Sequence, residues 1–178
     1  LDKAINLIRG EVGTKVTLTI FREAEKKTRD FSMTREVITI PTIETELLPE
    51  KIFVIRLFNF SANSPELFRQ ALREFAKSGT NKLILDLRGN PGGYLSSAVS
   101  IASWFLGPNE IVAIESRGKG EEPKLYKSQG YDVFTDKLEM IILVDRGSAS
   151  AAEILAGALA EHRQATLVGE KTFGKGSV

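Results

Sequence analysis

Two short runs of apolar residues, Leu83–Leu87 and Leu138–Val144, constrain the fold of this chain more than any other feature of its sequence. Runs of this length with little polar alternation are typical of β-strands that are covered on both faces. Helical patterns follow the two runs, at Leu95–Leu106 and Ala151–His162. Strands that alternate with helices predict an α/β fold with parallel strand pairs, in which ligands bind beyond the carboxyl ends of the strands. We therefore expect the loops after the two runs to open on the same side of one sheet.

The loop after the second run, Arg146–Ile154, has almost no side-chain bulk and contains two serines, Ser148 and Ser150. A serine between a strand and a helix is usually a helix cap, but a tight turn of small residues can also expose it as a nucleophile. The physical pattern does not separate the two serines, because either could cap the helix. The flanking residues do not fit G-x-S-x-G, which argues against an α/β-hydrolase. The N–H of Ala151, at the start of the helix, would point toward an oxyanion.

The loop after the first run, Arg88–Gly93, is rich in glycine. Its glycine spacing does not fit the dinucleotide fingerprint G-x-G-x-x-G, and its proline lacks an N–H that such a loop would use. An oxyanion suits the loop better, since Gly92 and Gly93 would allow backbone N–H groups to converge on a substrate carbonyl. We expect Asp86 and Arg88 to pair and brace the loop as structural residues.

A lysine set between two glycines, Lys175, follows Ser150 by 25 residues. Lysine can activate a serine only when its amine is uncharged, whereas free lysine has a pKa of about 10.4. Burial lowers that pKa, and the neighbouring Phe173 predicts an apolar wall around the amine. Without the serine motif, such a lysine would be interpreted as a solvated residue in a glycine turn.

Two competing motifs involve the same part of the chain. Residues Gly169–Lys175 fit the phosphate-binding pattern G-x-x-x-x-G-K. In that pattern a serine or threonine follows the lysine and holds magnesium, whereas this chain has Gly176. A P-loop-like nucleotide binder is therefore the less favoured alternative. His162 follows Ser150 by 12 residues, at the far end of the same predicted helix. A helix of that length spans about 18 Å, so the two side chains cannot meet as a Ser-His pair.

The order and spacing of these segments resemble those of the carboxyl-terminal processing peptidases, also called tail-specific proteases, over nearly the whole chain. The resemblance implies a Clp-protease/crotonase-like core of the α/β class. It assigns Ser150 as the nucleophile, because in this family the nucleophile is the second serine of a Ser-Ala-Ser run. Lys175 would be the general base, and the N–H groups of Ala151 with Gly92 or Gly93 would form the oxyanion hole.

The resemblance leaves the third catalytic member open. Some relatives carry an acid near the lysine, and Glu161 occupies that place in this chain. Other relatives use a glutamine shortly after the lysine, at a position that would lie past Val178. The candidate is therefore either Glu161 or a residue beyond the chain end.

The resemblance also implies three parts along the chain. Residues 1–22 would be the incomplete end of a PDZ-like domain, residues 23–50 a connector with a strand, and residues 51–178 a C-terminally incomplete serine protease core. We interpret the chain as an excerpt of a longer protein, because both ends fall within predicted elements. Apolar residues of the first part should therefore lack some of their partners, namely Ile5, Ile8, Val16 and Leu18.

The function that the resemblance implies is a serine endopeptidase that cleaves protein substrates at or near their C-termini through an acyl-enzyme. Such an enzyme would work in the cell envelope, the periplasm or secreted, without metal or cofactor. A catalytically inert, PDZ-linked binding or scaffold module is the alternative from another class, and self-association is left open. The net charge of +1 provides no case for nucleic acid, and one histidine with no cysteine excludes multi-histidine and thiolate metal sites.

Overall fold

The computed structural model describes residues 2–37, 41–116, 118, 120–134, 137–163 and 165–175, with no side-chain description for residues 2–4 and 163. The chain divides into two compact units, Leu1–Ile40 and Pro41–Val178, and each is described by itself. Within the described ranges, every helix is too short or too polar to span a lipid bilayer.

The first unit is a short helix followed by a β-hairpin. Helix α1 spans Asp2–Ile8, and strands β1 (Lys15–Arg22) and β2 (Lys27–Thr34) pair antiparallel over their full length. The predicted helix and first strand are confirmed. The predicted boundary at residue 22 falls between the two paired strands of one hairpin, and the compact unit extends to Ile40.

Apolar side chains of the first unit are poorly covered. Val16 and Leu18 are only half-buried, and Ile8 is 46% exposed. None of the described side chains between residues 5 and 37 is fully buried, because one hairpin and one short helix cannot enclose a core. The expectation that these apolar faces lack partners is therefore confirmed, whereas the origin of the unit in a PDZ-like domain stays a prediction.

The second unit contains the remaining ten elements in the order β-β-α-β-α-β-β-β-α-β. They are β3 (Ile43–Leu47), β4 (Phe53–Leu57), α2 (Ser64–Ser78), β5 (Lys82–Asp86), α3 (Leu95–Ala102), β6 (Ile111–Glu115), β7 (Lys124–Lys127), β8 (Glu139–Val144), α4 (Ala151–Arg163) and β9 (Thr166–Gly169).

A mixed five-stranded sheet with the order β3-β4-β5-β8-β9 forms the centre of this unit. The pairs β4–β5, β5–β8 and β8–β9 are parallel, and β3 joins the edge antiparallel. This arrangement confirms the predicted α/β fold with parallel strand pairs. The strand β3 lies in the predicted connector, where Ile43 and Leu47 alternate with glutamates, as is typical of an exposed edge strand.

The hydrophobic core lies on one face of the sheet. Leu83, Leu85 and Ile142 are at most 1% exposed and pack with buried residues of the helices, such as Phe68 of α2 and Leu155 of α4. The opposite face is more open, since Ile84 is half-buried and Ile141 is 38% exposed. The expectation that both apolar runs are covered on two faces is therefore wrong for the described residues.

Two predicted elements differ in extent. Helix α3 ends at Ala102 rather than Leu106, and the following residues form turns in which the Ser103 hydroxyl donates to the Val99 carbonyl at 2.7 Å. The polar segment after β6 contains the strand β7, which pairs antiparallel with β6 to form a two-stranded sheet.

The strands β5 and β8 bring the two candidate loops together. They are parallel neighbours, and the pairing continues past β5, where the Leu87 N–H donates to the Leu143 carbonyl at 2.9 Å. Both loops therefore leave the sheet at the same edge, as the sequence predicts.

Candidate active site

Asn90 joins the glycine loop to the serine turn. Its carbonyl accepts the Ala149 N–H at 2.9 Å, and its fully buried side-chain amide donates to the Leu57 carbonyl at 2.7 Å. Sequence reasoning did not assign Asn90 a role. Its place in the loop beyond a buried strand was the available signal, because polar side chains at that edge often organise the site.

The two loops touch at Gly92. A Cβ atom placed on Gly92 would lie 2.7 Å from the Ala149 carbonyl oxygen and 2.8 Å from the Ser150 Cβ, and the φ angle of Gly92 is +97°. Gly93, with a φ angle of +146°, leaves even less room, since a Cβ there would lie 2.4 Å from the Phe60 carbonyl oxygen. Only glycine fits both positions, and this contact confirms that the two loops meet.

The structure separates the two serines. The Ser148 hydroxyl is fully buried, donates to the Leu87 carbonyl at 2.8 Å and accepts the Asp145 N–H at 3.0 Å. Ser150 is half-buried, and its φ angle of 54° is one that few non-glycine residues adopt. Its hydroxyl has no hydrogen-bond partner among the residues that the structure describes. The hydroxyl of Ser148 is therefore used by hydrogen bonds within the fold, whereas among the described residues that of Ser150 is not.

Two backbone N–H groups beside Ser150 have no acceptor within the described part of the chain. They belong to Ala151, the first residue of α4, and to Gly93. The N–H of Gly92 instead donates to the Asn90 side-chain oxygen at 2.8 Å. Of the two glycines predicted as alternative donors, only Gly93 has an N–H without an acceptor among the described residues. The oxyanion hole itself stays a prediction.

The carboxylate of Glu153 connects the serine turn to the segment that carries the lysine. It accepts the N–H of Ser150 at 2.8 Å, the hydroxyl of Thr172 at 2.7 Å, and the N–H groups of Gly174 and Lys175 at 2.7 and 3.0 Å. Sequence reasoning missed this residue. The spacing Ser-x-x-Glu at a helix start is the signature of a capping box and could have identified Glu153.

The environment of Glu153 favours its charged form. Partial burial opposes the charge, but the hydrogen bonds from Thr172, Gly174, Ser150 and Lys175 together outweigh it and hold the pKa of Glu153 below its usual value. The carboxylate is therefore an acceptor that fixes the backbone of the site, because a charged acceptor binds N–H donors more strongly than a neutral one.

A second carboxylate braces the base of the two loops. Asp145 accepts the N–H groups of Gly89 at 2.8 Å and Gly147 at 2.9 Å. The hydrogen bond from Gly89 is the main reason that the pKa of Asp145 lies below its usual value. Asp145 therefore links the start of the glycine loop to the start of the serine turn.

The predicted pairing of Asp86 with Arg88 is confirmed. The guanidinium binds the carboxylate at two points, at 2.6 and 2.9 Å. Burial would raise the pKa of Asp86, but the hydrogen bonds from the Arg88 side chain and N–H lower it below the usual value. The pair stands at the beginning of the glycine loop, as expected of a structural brace.

Lys175 shares a cavity of about 320 Å³ with Ser150. Its side chain is exposed, and it forms no ion pair with any residue that the structure describes. The predicted burial by an apolar wall is wrong here, because Phe173 is 71% exposed. The segment has no regular secondary structure and is held by backbone hydrogen bonds, such as that from the Phe173 N–H to the Ser148 carbonyl at 3.0 Å.

Glu161 and His162 lie away from this cavity. Both are exposed near the far end of α4, where the His162 ring nitrogen Nε2 is 2.9 Å from the Ile111 carbonyl oxygen. Eleven residues of helix separate Glu161 from Ser150 by about 16 Å along the helix axis. The assignment of Glu161 as a third catalytic member stays a prediction. The other candidate, beyond the chain end, lies outside the described residues.

The hydrogen bonds that Glu153 accepts from Gly174 and Lys175 argue against the phosphate-binding alternative. A P-loop points its backbone N–H groups at phosphate oxygens, whereas those of Gly174 and Lys175 donate to Glu153. Gly176 lies outside the described residues. Within the described ranges, no group of three or more histidines and carboxylates is arranged to hold a metal ion.

The family model of Peptidase family S41 matches residues 51–178, and the chain belongs to this family. The chain is 38% identical over its full length to the carboxyl-terminal-processing protease of Synechocystis sp. and 37% identical to the carboxy-terminal-processing protease of Bartonella bacilliformis. It spans 42% and 41% of these two relatives, so it corresponds to less than half of their length.

Solved structures show the same fold. The photosystem II D1 C-terminal processing protease aligns with a TM-score of 0.76 at 28% identity, over 95% of this chain and 47% of that protein. A peptidase from Parabacteroides merdae aligns with a TM-score of 0.61 at 22% identity, over 75% of this chain and 44% of that protein, which supports the fold alone.

Proposed function

We propose that the protein is a serine endopeptidase that uses Ser150 as nucleophile and Lys175 as general base, and that it cleaves protein substrates at or near their C-termini. The observation that carries the proposal is the cavity that Ser150 shares with Lys175. Among the described residues, the N–H groups of Ala151 and Gly93 also have no acceptor. The membership in Peptidase family S41 supports it.

The proposed reaction follows from the placement of these groups. The Ser150 Oγ attacks a substrate carbonyl carbon while the Lys175 amine takes its proton. The carbonyl oxygen becomes an oxyanion that accepts the N–H groups of Ala151 and Gly93. The tetrahedral intermediate collapses to an acyl-enzyme, and the leaving amine receives the proton from Lys175. Water then attacks the acyl carbon and gives a proton to Lys175. The second tetrahedral intermediate releases the carboxylic acid product, and Lys175 returns the proton to the Ser150 Oγ.

Two details of this site agree with an activated serine. The backbone of Ser150 is left-handed, and such strain is common at functional sites. The N–H of Ala151 also lies at the amino end of α4, where the helix dipole favours negative charge. An inert scaffold would have no use for either arrangement.

The substrate class and location are proposed from the relatives. The names of two relatives specify carboxyl-terminal processing, so protein substrates with accessible C-termini are proposed for this protein. The cell envelope, the periplasm or the extracellular space is the proposed location, and the first unit is proposed to derive from a PDZ-like domain.

A fluorophosphonate probe, which reacts at phosphorus with activated serine hydroxyls and releases fluoride, tests the proposal. The full-length protein should be labelled at Ser150, as mapped by mass spectrometry, and Ser150→Ala should abolish labelling. Ser148→Ala is the matched control and should keep the label, while Lys175→Ala should slow labelling strongly. A folded protein that takes no label would favour the inert binding module instead, and a label on another serine would contradict the assignment of Ser150.

A further inference from the structure

A glycine in the middle of helix α4, Gly157, is not required by close packing against any other part of the chain that the structure describes. A Cβ atom placed on Gly157 would meet no atom within 4 Å, and the residue is exposed. Glycine destabilises a helix interior relative to alanine, because it loses more backbone entropy on folding. Neither crowding nor helix stability therefore explains this glycine.

Gly157 instead lines the cavity that contains Ser150 and Lys175. Three other residues of α4 line the same cavity, namely Glu153, Ile154 and Ala158. Their spacing from one another and from Gly157 places all four on one face of the helix. The seven residues from Ser150 to Gly157 span about 10 Å along the helix. The cavity thus extends from the reactive serine along α4, and Gly157 leaves its far part open.

The rest of the cavity wall is mainly apolar. Leu95 of α3 and Val112 and Ile114 of β6 contribute to it. The carboxylate of Glu115 accepts the Tyr126 hydroxyl at 2.6 Å, while that of Glu153 is occupied by four donors. Both carboxylates are engaged, and Glu153 holds the backbone of Lys175 at the Ser150 end of the cavity. The wall formed by Leu95, Val112, Ile114, Ile154 and Ala158 therefore offers a ligand mainly apolar surface.

We propose that this cavity is the specificity pocket for the substrate residue whose carbonyl Ser150 attacks, and that it takes a large apolar side chain such as leucine, methionine or phenylalanine. Gly157 determines its depth. The inference rests on the proposed function and extends it by a substrate preference. The acyl-side residue is the one bonded to Ser150 throughout the acyl-enzyme stage, so its side chain lies nearest to a cavity that begins at this serine.

The test uses the full-length protein and fluorogenic peptides that differ only in the residue before the cleaved bond, with alanine, leucine, phenylalanine or glutamate at that position. The wild type should have a higher kcat/KM for leucine and phenylalanine than for alanine, and should cleave the glutamate peptide slowest. Gly157→Leu should lower the leucine-to-alanine ratio of kcat/KM by about tenfold or more, since a single methylene in such a pocket already changes selectivity by about 10–200-fold. Gly157→Ala should cause a smaller shift in the same direction.

Lys77→Leu is the matched control, because it adds the same side chain at an exposed position of another helix and should leave the ratio unchanged. Thermal unfolding supplies a readout that is independent of activity. Gly157→Ala should raise Tm, whereas a glycine required by packing would make Tm fall.

The outcomes separate the two proposals. If no peptide is cleaved in a Ser150-dependent manner by the folded wild type, the proposed function fails. If the peptides are cleaved but Gly157→Leu slows all of them equally or leaves the ratio unchanged, the peptidase function stands and the assignment of the pocket is overturned. A wild-type preference for alanine or glutamate would also overturn it.

Discussion

The carboxylate of Glu153 accepts the backbone N–H of Ser150 at 2.8 Å. This is one half of a capping box, in which a glutamate at the third helical position satisfies the N–H of the capping residue. The other half is absent among the described residues, because the Ser150 hydroxyl does not cap α4. The same carboxylate binds the N–H of Lys175, so one side chain holds the backbones of the proposed nucleophile and the proposed base.

Removal of the Glu153 carboxylate should therefore disturb the positions of Ser150 and Lys175 more than it weakens substrate binding. Glu153→Ala is expected to lower kcat by about 10²-fold with little change in KM, because a displacement of about 1 Å at reacting groups has that effect. It should also reduce the free energy of unfolding by about 1–3 kcal/mol, since it leaves donors unpaired. Steady-state kinetics and urea unfolding of the full-length protein measure both quantities.

Glu161→Ala is the control for this prediction, because Glu161 lies on the same helix but is exposed and away from the cavity. Its kcat should stay close to that of the wild type. An equal loss in Glu161→Ala and Glu153→Ala would support Glu161 as the third catalytic member and contradict the positioning role of Glu153.

The lowered pKa of Glu153 predicts a specific dependence of stability on pH. Its pKa in the folded protein lies below the ordinary value of 4.5, so the charged form is stabilised by folding. This contribution is fully present above pH 4.5 and is lost as the pH falls through the folded pKa. The difference in unfolding free energy between the wild type and Glu153→Gln should be constant from pH 7 to about 5 and shrink below that range.

Chemical denaturation of both proteins across this pH range measures the difference. Asp86 and Asp145 also have lowered pKa values, but their contributions are common to both proteins and cancel. A difference that grows as the pH falls would mean that Glu153 is protonated in the folded protein, contrary to its hydrogen bonds.

Ser150 and Lys175 should behave as one catalytic unit. Ser150→Ala and Lys175→Ala are each expected to lower kcat by about 10⁴–10⁶-fold, and the double variant should be little worse than either single variant. His162→Ala should keep a nearly normal rate, because His162 contacts the Ile111 carbonyl at the other end of α4. A Lys175→Ala enzyme with near-normal turnover would contradict the lysine mechanism, above all if His162→Ala were inactive.

Ser148→Ala tests the separation of the two serines. Its activity per folded molecule should remain close to that of the wild type. Its unfolding free energy should fall by about 1–3 kcal/mol, since the Leu87 carbonyl and the Asp145 N–H would lose a buried partner. Thermal or urea unfolding together with active-site titration distinguishes this result from a loss of chemistry.

The parts of the fold that the sequence predicted are those set by local apolar pattern. The runs that became β5 and β8, and the small-residue turn before α4, carry their own signals in consecutive residues. The strands β3 and β7 lacked such a signal, because exposed strands that alternate charged and apolar residues gain their stability from pairing with a neighbour.

The site was harder to predict where it depends on distant contacts. Glu153 binds Gly174 and Lys175, which lie 21 and 22 residues later in the chain. The burial of Lys175 was inferred from the apolar character of Phe173, but a side chain is buried only when other elements cover it. Among the described residues, none covers Phe173. The sequence indicated the loop that contains Gly92. It did not indicate that the Gly92 N–H donates to Asn90, because that hydrogen bond depends on the orientation of the Asn90 side chain.

The contact between Gly92 and Ser150 leads to the last prediction. Gly92→Ala should abolish turnover, because the new Cβ would overlap the Ala149 carbonyl and the Ser150 Cβ at 2.7 and 2.8 Å. The neighbouring atoms are backbone or close to it, so relief requires the serine turn to move away from the glycine loop. A shift of the serine turn by about 1 Å is sufficient to lower the rate by about 10²-fold. The left-handed backbone of Gly92 adds a separate cost in stability when alanine is introduced.

Gly89→Ala is the matched control, since Gly89 has a similar left-handed φ angle of +68° but no atom within 4 Å of an added Cβ. It should cost about 1–2 kcal/mol of stability from the backbone alone and keep most of the activity of the folded protein. Kinetics normalised to the folded fraction, with fluorophosphonate labelling of Ser150 as a second readout, compare the two variants. If Gly92→Ala were labelled as fast as Gly89→Ala, the close approach of the two loops would not control the geometry of the nucleophile.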